Sequence, residues 1–267
     1  MDREPREHPL LMRPELVRAT LAGAKTQTRR LVTPGTSTVR GCWPSARAVW
    51  SRLDFAGATA AVARPPDGSP DTPVLVVPFA KGDEHEGDVV TVWPRVRPGD
   101  AVYVRETWQT GAALDDEAPS MLAAWAKAGG VEPCGPVRYK ADGATRDAHL
   151  LAHGSHYGEH WGRGRPGIHL PRWACRLVLP VESVRGERAR DISEADALAE
   201  GVNGVPFRPD DGFPVCTGYT LGEDDGKSVL YPTAREAFIA GFDTINDHRA
   251  KPAGDWVWVY QWPAVQP

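Results

Sequence analysis

PGDAVYVRETW, residues 98–108, is the stretch of sequence that decides the fold. Its first three residues are a turn signal, and the β-branched and aromatic residues that follow are typical of a core strand. A second run of this kind, WVWVYQW at residues 256–262, predicts another strand. RLVLPVESV at residues 176–184 also has the apolar content of a strand, with an edge or a bulge at Pro180. These runs predict a core built from short strands.

Short helices accompany the strands. Proline suits the first turn of a helix and glycine its left-handed end, which predicts a helix over residues 14–23. A second helix is predicted over residues 193–200, with Ser193 as its N-cap and Gly201 as its stop. A broad apolar face predicts a third helix over residues 233–245. Strands outnumber helices and do not alternate with them, which favours an α+β fold, a mostly antiparallel β-barrel with flanking helices.

Segments rich in glycine and proline separate these patterned pieces, and we interpret them as long loop insertions in one domain over residues 1–267. Two apolar runs in the first insertion, residues 74–79 and 89–93, can pair as a hairpin, and the second insertion holds a short predicted helix over residues 120–128. The core pieces are expected at about 10–32, 98–110, 166–201 and 232–265, and the insertions at about 33–97, 111–165 and 202–231.

Composition limits the classes of function. The 267 residues carry a formal net charge of -4, which argues against a protein that coats nucleic acid without selectivity but leaves a local basic cleft open. The four cysteines are scattered without a C-x-x-C pair, as expected of reduced thiols in the cytoplasm. No apolar run approaches the roughly 20 residues that cross a bilayer, so neither a membrane anchor nor an export signal is expected.

GAKTQTRR, residues 23–30, places one lysine, two hydroxyl groups and two arginines just beyond the first predicted helix. Such a cluster can carry chemistry. The structural alternative is that Lys25 complements the negative end of the helix dipole and that Thr28 is an ordinary strand residue.

Glu200 stands out among the carboxylates. At the last turn of its helix it faces the negative end of the dipole, where it costs stability. If it also faces a pocket, its pKa would rise, which suits a proton donor or shuttle near neutral pH. The alternative is a solvated glutamate at a helix end.

Five segments in order resemble the ASCH-domain proteins of the PUA-like superfamily that many phages and prophages carry: residues 21–30, 98–108, 168–174, 191–201 and 256–259. The resemblance covers the core pieces but not the insertions, and it implies a PUA-like barrel. Small bacterial members remove the acetyl group of N4-acetylcytidine. On their G-x-K-T-x-T-x-R motif the lysine falls on Lys25 and the threonine on Thr28. The short helix places their glutamate on Glu200.

The reaction that this resemblance implies is amide hydrolysis. A lysine with a lowered pKa deprotonates Thr28 or a water molecule, and Glu200 passes a proton to the leaving amine. Lys25 and Thr28 are three residues apart, so a regular strand would place them on opposite faces, and the pairing requires a turn or a twist between them. The resemblance implies action in the cytoplasm of a bacterium or a phage-infected host cell, with a modified nucleoside, nucleotide or RNA as partner and no cofactor.

Other residues of these segments are candidates for substrate binding. Guanidinium groups bind phosphate in a bidentate manner, and tryptophan rings stack on bases. Surface ion pairs are the alternative for the arginines and core packing is the alternative for the tryptophans. The candidates are Thr26, Arg29, Arg30, Arg105, Glu106, Trp108, Arg172 and Trp173.

A histidine array at positions 149, 153, 156 and 160 has spacings that zinc ligands use on a helix, but Gly154 and Gly158 argue against a helix, so no metal site is expected. The leading hypothesis is therefore a metal-free amidohydrolase of an N4-acylated cytidine-type nucleoside or nucleotide. One alternative is a module that binds RNA or a modified base without turnover. Another is a ribonuclease that uses Lys25 and the arginines on a phosphodiester.

Overall fold

The computed structural model of the chain describes residues 4–40, 49–65, 71–122, 135–209, 214–222, 228–246 and 253–266. The chain divides into two compact units. The first unit comprises residues 1–6, 23–101 and 180–266, and the second comprises residues 7–22 and 102–179. Each unit is built from pieces distant in sequence, and the single domain over residues 1–267 stays a prediction.

The elements are short throughout. In chain order the strands are β1 (Glu7–Leu11), β2 (Gln27–Leu31), β3 (Ser37–Arg40), β4 (Thr59–Ala63), β5 (Thr72–Pro78), β6 (Val89–Pro94), β7 (Ala101–Arg105), β8 (Trp108–Gln109), β9 (Val137–Tyr139), β10 (Thr145–Arg146), β11 (Val178–Pro180), β12 (Ser183–Arg188), β13 (Val202–Phe207), β14 (Cys216–Leu221) and β15 (Trp256–Gln261). The α-helices described here are α1 (Pro14–Leu21), α2 (Glu194–Ala199) and α3 (Ala234–Asn246).

The first unit holds three sheets. One has the strand order β12-β15-β2, a second has the order β3-β6-β5-β4, and β13 and β14 form a two-stranded sheet. The antiparallel pairing of β5 with β6, which sets Leu75 opposite Val92, confirms the hairpin expected in the first insertion. Both neighbours of β15 run antiparallel to it.

Both faces of the β12-β15-β2 sheet are covered. Side chains alternate between the faces of a strand, and Leu31, Val257 and Val259 lie in one buried cluster with Phe238 and Phe242 of α3. On the opposite face, Trp256 donates its indole N–H to the carbonyl of Phe55 at 2.9 Å, and Trp258 donates to Ser37 Oγ at 2.8 Å. β2 therefore begins in a buried layer, two residues after Lys25.

The second unit contains a sheet of order β1-β7-β11 and a sheet of order β10-β9-β8. Its core gathers around Trp108, which is fully buried together with Leu114, Val137 and Leu170. Gly167 fits closely against this unit's backbone, because a Cβ there would lie 2.7 Å from the carbonyl oxygen of Arg105.

The α+β class and the mostly antiparallel strands agree with the sequence-based prediction. The described residues form five separate sheets and no closed barrel. The strand predicted over residues 176–184 is two strands, because the chain leaves β11 at Pro180, which has no N–H to donate to a ladder, and passes into the first unit. The strand predicted over residues 101–108 likewise ends at Arg105 and resumes at Trp108.

The helix predictions agree with the structure where it describes them. α1 begins at Pro14, and Gly23 beyond its end has a φ of +73°, the left-handed conformation expected there. The helix predicted over residues 120–128 falls largely outside the described residues. In the part of the chain that the structure describes, no helix is long and apolar enough to cross a membrane.

Candidate active site

The short helix α2 places Glu200 in the interior of the first unit. Ser193 caps the helix by accepting the backbone N–H of Asp196 at 3.1 Å, as its sequence predicts. Glu200 takes the C-cap position, and Gly201 ends the helix with a φ of +95°. Glu200 is only 4 % exposed, so it is not the solvated helix-end glutamate that was the alternative.

Lys25 is 1 % exposed and lies just before β2. Its Nζ donates to the backbone carbonyls of Gln27 and Glu200, both at 2.7 Å, and to Glu200 Oε2 at 2.8 Å. An ammonium group has three N–H donors, so these three acceptors use all of them. Lys25 therefore does more than complement a helix dipole: it is half of a buried ion pair.

Arg29 holds the other oxygen of the same carboxylate. Its Nη1 donates to Glu200 Oε1 at 3.0 Å, while its Nε donates to Glu187 Oε1 at 2.7 Å. The guanidinium carbon lies 5.5 Å from the ring centroid of Phe238 in α3. Each oxygen of Glu200 thus accepts from a different cation, and the carboxylate is fixed in orientation.

Two further carboxylates and one further cation close the network. Asp196 Oδ2 lies 3.3 Å from Arg29 Nη2 and 3.0 Å from Arg185 Nη2, and Arg185 Nε donates to Glu187 Oε2 at 2.9 Å. Gln27 donates its side-chain N–H to Asp196 Oδ1 at 3.0 Å. The network contains three cations and three carboxylates, so its formal charges cancel: Lys25, Arg29, Arg185, Glu187, Asp196 and Glu200.

The environment lowers the pKa of Lys25. Burial is the largest cause, because it penalises the charged amine, and the carboxylate of Glu200 opposes it. The nearby guanidinium groups of Arg30 and Arg29 lower this pKa further. A lysine that loses its proton more readily than usual is suited to act as a base.

Thr28 occupies a distinct position in this site. Gln27 and Arg29 both reach Asp196, so strand alternation directs Thr28 to the opposite face of β2. Lys25 precedes the strand, and its amine bonds the carbonyl of Gln27, the group joined to the nitrogen of Thr28. The amine therefore lies beside the Thr28 backbone, although no hydrogen bond joins the two side chains. The Thr28 hydroxyl, in a residue only 5 % exposed, bonds no described residue.

The remaining candidates of the first unit differ in role. Thr26 contributes its backbone, which donates to the carbonyl of Ala199 and accepts from the N–H of Trp262, both at 2.9 Å. These bonds align β2 with the end of α2. Arg29, buried among carboxylates, does not offer a guanidinium to a phosphate, and this placement does not support the substrate-binding role predicted for it. Arg30 is half-buried and acts electrostatically on Lys25.

The other candidates belong to the second unit and bind its own groups. Arg105 donates to the carbonyls of Leu170, at 3.0 Å, and Ile168. Arg172 pairs with Glu7 at 2.7 Å and lies over the ring of Tyr103. Arg172 thus forms the surface ion pair that was the alternative for these arginines, whereas Arg105 braces the backbone of its own unit.

The two tryptophans of this set differ in exposure. Trp108 is fully buried with Arg165 over its ring, so it is a core residue that no base can reach in this conformation. Trp173 is half-buried beneath the guanidinium of Arg146.

Glu106 forms a second buried ion pair, in the second unit. Arg176 binds both of its oxygens, at 2.8 and 2.9 Å, and also pairs with Asp142 at 2.8 Å. The arginine stacks on Tyr139, with 4.1 Å from the guanidinium carbon to the ring centroid. Burial is the main cause that raises the pKa of Glu106, and Arg176 opposes it.

The histidine-rich stretch forms a loop in which His153 pairs with Glu159 and His156 packs edge-on against Tyr157. Across the described ranges, no three histidine, cysteine, aspartate or glutamate side chains come together as a metal site. Comparison of the chain with protein-family models, curated proteins and solved structures finds no match.

Four members of the site were not predicted from the sequence: Gln27, Arg185, Glu187 and Asp196. For the strand residues among them, a signal exists in the sequence. Gln27 and Arg29 are two apart, as are Arg185 and Glu187, and alternation of charged and polar residues within apolar strands places them on one face. A buried polar face of this kind requires partners.

Proposed function

We propose that the first unit carries an amidohydrolase site for an N4-acylated cytidine-type nucleoside or nucleotide, with Lys25, Thr28 and Glu200 as its catalytic residues. The observation that carries the proposal is the direct Lys25–Glu200 contact in the unit's interior. Taking two charges out of water is costly, and groups with perturbed pKa values concentrate at functional sites. The resemblance of residues 21–30 and 191–201 to ASCH-domain amidohydrolases supplies the reaction class.

In the proposed reaction the pair moves two protons. Lys25, as the neutral amine, takes the proton of the nucleophile, which is the Thr28 hydroxyl or a water molecule that this hydroxyl holds. The nucleophile adds to the acyl carbon, the bond from that carbon to N4 breaks, and Glu200, in its protonated form, gives N4 a proton. This leaves Lys25 as ammonium and Glu200 as carboxylate, the ion pair seen in the structure. If Thr28 is acylated, water then hydrolyses the ester.

Proton transfer from Lys25 Nζ to Glu200 Oε2, across the 2.8 Å contact, returns the pair to the reactive form. The transfer leaves the net charge of the network unchanged. Because the amine uses all three donors in this structure, the substrate has to replace one of its three contacts.

That same saturation favours a second candidate, a module of this fold that binds a modified base or RNA without turnover. A lysine whose donors all have partners is what a structural ion pair shows. The two candidates differ in whether a product forms.

One experiment separates them. The purified full chain is incubated with N4-acetylcytidine, other N4-acyl cytidines and a short RNA, and cytidine, free acid and RNA fragments are quantified. The proposal expects cytidine and acid in equal amounts, with the rate reduced at least about 100-fold in Lys25→Met and Glu200→Gln, since acid–base groups contribute 10²–10⁴-fold. Binding without product supports the second candidate, and RNA fragments support a ribonuclease.

Asp71→Asn serves as a control because it neutralises an exposed carboxylate paired with Arg64 at 2.9 Å, outside the network. Its rate is expected to equal that of the unchanged protein. A loss of activity in this control would show that the assay reports general charge effects rather than the site.

A further inference from the structure

We propose that Glu187 and Asp196 are positioning residues for the Lys25–Glu200 pair and that they act through Arg29, whose guanidinium contacts all three carboxylates. This inference rests on the proposed function of the site. In this role Glu187 and Asp196 do not contact the substrate. Each acts on the Lys25–Glu200 pair through the guanidinium of Arg29.

The contacts form an ordered chain of neighbouring side chains, which we call the relay. Lys25 holds Glu200 Oε2, and Arg29 holds Glu200 Oε1 at 3.0 Å. On its far side, Arg29 contacts Glu187 at 2.6 Å and Asp196 at 3.3 Å. Arg29 is buried, so these carboxylates and the ring of Phe238 enclose its charge.

The carboxylates around Arg29 determine how strongly its positive charge affects the Lys25–Glu200 pair. A guanidinium that is neutralised by two carboxylates repels the Lys25 ammonium less than a bare one does. Glu187 and Asp196 therefore weaken the effect of the Arg29 charge on the pKa of Lys25. Without them the Lys25 ammonium would lose its proton more easily.

Among the residues that the structure describes, few charges face Lys25. Glu200 follows α2, while Arg29 and Arg30 belong to β2, and all three act directly on the amine. Behind them lie Asp196 of α2 and two residues of β12, Arg185 and Glu187.

The test compares a variant that removes a positive charge from the relay with variants that remove a negative charge from it. Arg29→Gln removes a cation from the neighbourhood of Lys25, and Glu187→Gln or Asp196→Asn leaves that cation less neutralised. For cleavage of N4-acetylcytidine, the reactive form of the pair holds one proton, so the basic limb of kcat/KM against pH reports loss of that proton from Lys25. We expect it to move up by about one pH unit in Arg29→Gln and down in the two carboxylate variants. Arg29→Lys, which keeps the charge, should leave the limb in place.

A purely structural role would lower the rate in every variant and leave the pH profile unmoved, and that result, or shifts in one direction only, overturns the inference. Thermal melting identifies any variant that fails to fold. Because Asp196→Asn and Glu187→Gln are expected to act alike, either one can carry the test. Asp71→Asn should shift nothing.

A second readout does not depend on activity. The chain has six lysines, so side-chain NMR of lysine-labelled protein can follow the titration of Lys25 in the full chain. Opposite shifts of that titration in Arg29→Gln and Glu187→Gln support the relay even if no cytidine forms, in which case only the proposed function fails. Activity with an unmoved Lys25 titration overturns the relay and leaves the proposed function standing.

Discussion

Removing the charge of Glu200 should destabilise the first unit strongly. In Glu200→Gln one oxygen still accepts from Lys25 or Arg29, but the amide N–H₂ must face the other cation. Both contacts, at 2.8 and 3.0 Å, are buried. Loss of one partner from a buried pair costs about 3–5 kcal/mol. At about 2–4 °C per kcal/mol, the Tm of this unit should fall by roughly 6–20 °C.

The companion substitution Lys25→Met completes a double-mutant cycle. It removes the cation that conflicts with the amide of the glutamine, so the double variant should lose less stability than the sum of the single variants, by about 1–3 kcal/mol. Calorimetry of the full chain measures each Tm, with Asp71→Asn as a control for an exposed carboxylate. Two results would refute a buried and coupled pair. One is additive losses of stability in the double variant, and the other is a loss of about 1 kcal/mol or less in the free energy of unfolding of Glu200→Gln.

Three further predictions use the same site. Thr28→Val should abolish cytidine release and Thr28→Ser should retain it, as measured by product formation, because the reaction needs the hydroxyl group; an active valine variant would remove Thr28 from the mechanism. Lys25 has a lowered pKa in the folded state, so the folded protein binds fewer protons than the unfolded chain between that value and about 10.4, and its stability should rise with pH in that window. Melting at successive pH values up to about 10 measures the rise, which Lys25→Met should lack. Ser193→Ala removes the cap of α2 and should cost about 1 kcal/mol in melting experiments, whereas an unchanged Tm would mean that the cap bond adds nothing.

Local chemistry made much of the fold predictable. The cap at Ser193, the left-handed glycines at positions 23 and 201 and the β5–β6 hairpin depend on neighbouring residues, and each occurs as predicted. The closed barrel and the undivided strand over residues 176–184 do not occur in the described residues. Strand pairing depends on contacts between distant segments, which periodicity alone does not determine.

The candidate site was predictable only in part. A carboxylate at the unfavourable end of a helix pointed to Glu200, and the resemblance pointed to Lys25. That Arg29 turns inward, toward Glu187 and Asp196, depends on which strand lies beside β2, and its residue type alone suggested a phosphate ligand.

The release of cytidine and acetate from N4-acetylcytidine is the most direct test of the central claim, that the Lys25–Glu200 pair transfers the protons of an amide hydrolysis. We predict release by the unchanged protein and a loss of at least about 100-fold in Lys25→Met and Glu200→Gln at a temperature where both remain folded. Folded variants that release cytidine at the original rate would contradict the claim, as would an unchanged protein that releases none from any N4-acyl cytidine.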